Sequence, residues 1–110
     1  MSYKFIWEIK VRPGEEDAFI RQWHNGSVPI QKMPGAKGTL LHKKREEERT
    51  YVAIPQWESK EARQAAFAEL DKPDNELGKE MRKWGMNEDF GKVTPLMELD
   101  EIDTVYPPEK

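Results

Sequence analysis

The sequence contains no cysteine, which excludes disulfides, thiol nucleophiles and thiolate metal sites. It contains two histidines, His24 and His42, too few for a histidine-rich metal centre. No apolar run approaches the roughly 20 residues that a membrane-spanning helix needs. The opening MSYKFIWEIK lacks the long apolar stretch of a secretory leader, so a soluble, cytoplasmic protein is expected. No excess of positive charge is present: 18 Lys and Arg against 21 Asp and Glu leave a net charge of −3. That balance argues against nucleic acid or an anionic membrane as partner. No glycine pattern marks a phosphate-binding loop, because Gly35 and Gly38 lack both the spacing and the following helix. No cofactor and no metal are expected.

What remains is a polar chain of 110 residues, room for one domain over 1–110 with a tail at 105–110. It is 36% hydrophobic yet holds four Trp, four Phe and three Tyr. Those rings must supply much of the core or line a pocket within it. Tyr3, Phe5, Trp7, Ile9 and Val11 alternate with more polar residues, the period of a strand. Pro13-Gly14 ends it, and Glu15, Glu16 and Asp17 suit the positive end of a helix carrying Phe19, Ile20 and Trp23. Asn25-Gly26-Ser27 and Pro29 read as its stop.

Thr39 to Lys44 and Thr50 to Trp57 read as a hairpin around the charged run Lys43 to Arg49. Ser59 suits an N-cap for Lys60 to Leu70. Pro73 is placed to start a further helix, with Leu77, Met81 and Trp84 as its stripe and Gly85 as its stop. Val93 to Val105 holds the last strand. The order β-α-β-β-α-(α)-β predicts an α+β, ferredoxin-like split βαβ fold, a four-stranded antiparallel sheet with helices on one face. Ile6, Leu41, Val52 and Ile54 are expected on the face without helices, where a second copy of the chain is the simplest cover.

Pro13-Gly14 before an acidic helix, Met33-Pro34-Gly35-Ala36-Lys37-Gly38, and Gln56-Trp57-Glu58-Ser59 together resemble the antibiotic biosynthesis monooxygenase family. The resemblance covers about residues 3 to 100. It implies a dimeric α+β barrel in which each subunit keeps its own pocket between sheet and helices. Where haem-degrading relatives carry Asn, Trp and His, this chain has Trp7, Ala66 and Glu76, so haem is not the expected substrate. Of the four residues that quinone-forming relatives use, Trp57 is kept. Ala53 stands at the Asn place, Arg63 at the Tyr place, and the Arg place falls near Gly78 or Lys79.

Closing the hairpin on Glu46-Glu47 sets His42 opposite Tyr51 on one face with Trp57, since paired residues share a face. The expected catalytic residues are therefore His42, as base, and Trp57. The expected substrate contacts are Trp7, Tyr51, Arg63 and Trp84. A histidine among flat rings suits a phenolic ligand, which it would stack and deprotonate. The function these readings imply is cofactor-independent monooxygenation of a small aromatic phenol or quinol. The alternative is a non-catalytic dimeric module that binds a small hydrophobic molecule. Core packing is the competing role for Trp7, Tyr51 and Trp57.

Overall fold

The computed structural model describes residues 2–109. Met1 and Lys110, the two ends of the expected domain span, lie outside the described residues. The elements are β1 (Tyr3–Val11), α1 (Glu16–Ile30), β2 (Ala36–Lys43), β3 (Thr50–Trp57), α2 (Lys60–Leu70), α3 (Glu76–Arg82) and β4 (Gly91–Asp100). A short 3-10 turn over Asn87–Asp89 precedes β4. The four strands form one antiparallel sheet in the order β2-β3-β1-β4. This is the ferredoxin-like α+β arrangement that the element order predicts.

Local chemistry explains several boundaries. Gly14 takes a φ of +83° after β1, a conformation that costs glycine little. Ser59 caps α2, its hydroxyl accepting from the Ala62 N–H at 3.0 Å. Gly85 ends the α3 region at a φ of +92°. The further helix starts later than Pro73 suggests: Asn75 is its cap, and its side-chain oxygen accepts from the Gly78 N–H at 2.8 Å. Helix α1 runs on through Asn25-Gly26-Ser27 and Pro29 to Ile30. Tertiary packing overrides the local stop signals there. Gly26 is buried, and a Cβ on it would stand 3.8 Å from the Met81 carbonyl oxygen of α3. Helix α1 thus passes close to α3 at this position. The last strand ends at Asp100 rather than Val105, and residues 102–109 are exposed.

The hairpin register differs from the one expected. Ala36 pairs with Trp57, but Thr39 pairs with Pro55, Leu41 with Ala53, His42 with Val52 and Lys43 with Tyr51. A bulge over Lys37-Gly38, with Gly38 at a φ of +97°, takes up the extra residue. At the other end, the Lys44 N–H donates to the Thr50 carbonyl at 2.9 Å, so the loop holds five residues, 45–49. Arg49 closes that loop at a φ of 54°. It is held there by β1: the Val11 N–H donates to the Arg49 carbonyl at 2.8 Å, and the Arg49 Nε donates to the Val11 carbonyl at 3.2 Å. A one-residue slip turns every side chain of a strand to the other face. Leu41 therefore faces the helices and His42 the open side.

Two buried clusters fill the space between sheet and helices. Ile9, Val11, Phe19 and Tyr51 form one, and Tyr3, Trp57 and Ala66 form the other. The open face carries Ile6, Leu40, Val52, Ile54, Met97 and Leu99, placed there by their ladder partners. Leu40, Met97 and Leu99 are exposed.

Candidate active site

Between the two clusters, a cavity of about 300 Å³ opens under α1, α2 and α3. A single-ring or two-ring molecule fits such a volume. The sheet contributes Trp7, Thr39, Pro55 and Trp57; α1 contributes Gln22, Trp23 and Ile30; α2 contributes Arg63 and Phe67. The indole of Trp57 is buried and meets the Phe67 ring edge-on, with centroids 6.0 Å apart. Arg63 carries the charge within this aromatic lining. Its guanidinium carbon lies 4.4 Å from the Phe5 ring centroid and 5.2 Å from that of Phe67. Ring faces attract a cation, so both aromatics orient the group. Among the described residues no carboxylate pairs with it. Asp71 and Glu88 are the carboxylates of the lining, and both are exposed.

Trp7, Trp57 and Arg63, three of the six residues singled out from sequence, meet at this cavity. The other three do not. His42 pairs with Val52 and is exposed on the open face, so the ligand-deprotonating base expected at His42 is not in the cavity. The bulge at Lys37-Gly38 and the Arg49 turn are the cause. Tyr51 faces the helices as expected but is core. Its ring centroid is 5.4 Å from that of Phe19, and burial, then the charges of Glu16 and Asp17, push its hydroxyl pKa up. Trp84 lies beyond the end of α3, outside the lining, 39% exposed, with the Lys83 ammonium 6.0 Å from its ring.

Gln22 is one of the lining residues that sequence reasoning passed over. Phe19, Gln22, Trp23 and Gly26 follow helical spacing, and a polar residue within an apolar stripe is itself informative. Its amide Nε2 donates to the Gly85 carbonyl at 3.2 Å.

The sequence matches the family model for antibiotic biosynthesis monooxygenases over residues 2–70. The chain belongs to the antibiotic biosynthesis monooxygenase family. Solved structures share the fold of this family member over nearly its whole length. SnoaB, a cofactor-independent oxygenase from Streptomyces nogalater, superposes with a TM-score of 0.67 at 17% identity, covering 94% of this chain and 96% of that one. PA3566 from Pseudomonas aeruginosa superposes with a TM-score of 0.66 at 20% identity, covering 93% and 95%. No curated protein matches the sequence. In this family member, no described helix is long and apolar enough to cross a membrane. Among its described residues, no group of three or more His, Asp or Glu is placed to hold a metal ion.

Proposed function

We propose that this chain is a cofactor-independent monooxygenase of a small, flat, electron-rich phenol, bound in the cavity beneath α1 and α2. One observation carries the reading. Among the described residues the Arg63 guanidinium forms no salt bridge, although its charge is felt by the Glu98 carboxylate, and it lines an aromatic cavity with Trp7, Trp57 and Phe67. Flat rings take a flat ligand by stacking. A cation in a low-dielectric wall favours the ionised form of a phenol beside it. The likeness to an oxygenase named as cofactor-independent supports the same chemistry here.

The chemistry closes without a further reactant. The phenol loses its proton, and Arg63 stabilises the phenolate. The phenolate passes one electron to O2, and the two radicals combine as a carbon-bound hydroperoxide. Loss of water leaves a carbonyl at that carbon. The substrate gives up two hydrogens, one oxygen atom enters the quinone, and the other leaves as water. Asp71 and Glu88 are the carboxylates of the lining to which the phenol proton can pass.

Oxygen uptake with a panel of dihydroxynaphthalenes and anthrones tests this. Uptake of one O2 per quinone formed, with one labelled oxygen atom in the product, is the expected result. Ligand binding without oxygen uptake would leave the non-catalytic binding module as the correct reading.

A homodimer belongs to the same proposal. Leu40, Met97 and Leu99 are exposed on the helix-free face, where a second copy gives each sheet an apolar cover. A standard interface of roughly 1,600 Å² holds at micromolar concentration. Sedimentation showing a monomer there would remove the dimer.

A further inference from the structure

A cavity meets solvent where its lining residues are exposed. Of the lining residues, those are Asp71, Met86 and Glu88. Asp71 follows the last turn of α2, and Met86 and Glu88 lie between α3 and β4. The mouth of the cavity is therefore flanked by the end of α2 on one side and by residues 84–88 on the other.

The segment 84–88 is fastened at both ends. Before it, the Arg82 guanidinium donates to the Leu70 carbonyl at 2.6 Å. After it, the Arg12 N–H donates to the Phe90 carbonyl at 3.0 Å, and the Arg12 guanidinium donates to the Asp89 carbonyl. Between these anchors the chain bonds to α3 or to itself. The Trp84 and Gly85 N–H groups donate to the Met81 and Arg82 carbonyls, and the Met86 N–H donates to the Asp89 carboxylate at 2.8 Å. Among the described residues, a single hydrogen bond joins 84–88 to any other element: Gln22 Nε2 of α1 donates to the Gly85 carbonyl at 3.2 Å. The donor is buried within α1. The acceptor is a glycine at a φ of +92° between two exposed apolar residues, Trp84 and Met86. Opening exchanges this one bond for bonds to water, so its net hold is small. A segment tied by so little opens far more readily than the sheet beneath it.

We propose that residues 84–88 are the gate of the cavity and that Gln22 is the positioning residue that latches it. A ligand then enters and leaves when the Gln22–Gly85 bond is broken, and re-forming the bond sets Met86 back across the mouth and keeps water out. The inference rests on the aromatic-ligand reading above and concerns the entry and release of that ligand.

Hydrogen exchange reads the latch in the empty protein. Stopped-flow quenching of tryptophan fluorescence reads entry and release, since Trp7, Trp23 and Trp57 line the cavity. The ligand probe is a dihydroxynaphthalene, mixed under nitrogen so that nothing turns over. In Gln22→Met, close in size and without the donor, the amides of 84–88 should exchange roughly two- to tenfold faster, with those of β1 and β3 unchanged. Association and dissociation should both rise by that factor, leaving the dissociation constant within about twofold. A packing defect alone would speed dissociation only and weaken binding. If Gln22→Met does not fold, Gln22→Leu takes its place. In the unmodified protein, exchange at 84–88 should also slow when the ligand binds. Unchanged exchange in the variant overturns the latch. Faster exchange with unchanged ligand rates, or no slowing on binding, overturns the gate. Absence of binding to the unmodified protein overturns the aromatic-ligand reading and the gate with it, while exchange in the empty variant still decides the role of Gln22.

Discussion

The Arg63 guanidinium stands over the Phe5 ring, 4.4 Å from its centroid. Phe5 is on β1 and Arg63 on α2, so the contact ties helix to sheet at the cavity wall. It also fixes a cation where a ligand's negative charge would develop. Replacing Arg63 by Met keeps much of the apolar stem and removes the charge. A hydrogen bond to a charged group contributes about 1.5–3 kcal/mol, so Arg63→Met should weaken phenolate binding roughly 10- to 100-fold. The neutral ether of the same phenol should be affected far less. Fluorescence titration of both ligands checks this; an equal loss for both would make Arg63 a packing residue.

His42 should be dispensable for cavity chemistry. It pairs with Val52 and is exposed on the face opposite the cavity, beyond hydrogen-bond reach of a ligand there. Loss of a general base costs about 10²–10⁴-fold in rate. His42→Ala should instead stay within about twofold of the unmodified protein, provided both have the same oligomeric state. Steady-state oxygen uptake measures it, and a hundredfold loss would bring the residue back into the mechanism.

Two helical glycines should respond oppositely to alanine. A Cβ at Gly78 would stand 2.0 Å from the Leu70 carbonyl oxygen, a backbone atom that cannot swing away. Gly78→Ala should cost roughly 2–3 kcal/mol, as overpacking does. A Cβ at Gly26 would meet Gln22 Nε2 at 3.5 Å, an ordinary contact. Gly26→Ala should be neutral or stabilise by up to about 1 kcal/mol through helix propensity. Urea unfolding of the two variants gives both numbers.

Stability should fall in alkali through Tyr3. Burial, and then the hydrogen bond to Glu98 at 2.5 Å, push its hydroxyl pKa up to about 12. The same bond, followed by that of Lys60, holds the Glu98 carboxyl below its ordinary value. The folded state favours protonated Tyr3, so this contribution is whole below the unfolded value of about 10 and is lost as pH rises from there towards 12. Burial raises Tyr51 as well, so Tyr3→Phe should flatten part of the decline, not all of it. Urea midpoints taken between about pH 9 and 11 test this. An unchanged slope in Tyr3→Phe would exclude the Tyr3 contribution.

The sequence alone determined what short-range chemistry decides. The alternation from Tyr3 to Val11 specifies a strand whose odd residues share a face, and Trp7 is duly at the cavity. Ser59 specifies where α2 begins, which carries Arg63 to the same wall. These readings hold because strand period and helix capping involve residues a few positions apart. The tertiary structure decided the rest. Which way His42 faces depends on a bulge at Gly38 and on Arg49 being bound by Val11, 38 positions earlier. Whether α1 stops at Asn25-Gly26 or continues depends on α3 accepting Gly26. The orientation of the Gln22 amide is set by the carbonyl of Gly85, 63 positions away, which accepts from its nitrogen. Such contacts join residues far apart in the chain, and no local propensity encodes them, so a period-two pattern predicts that a face exists without saying which residues of the partner strand share it.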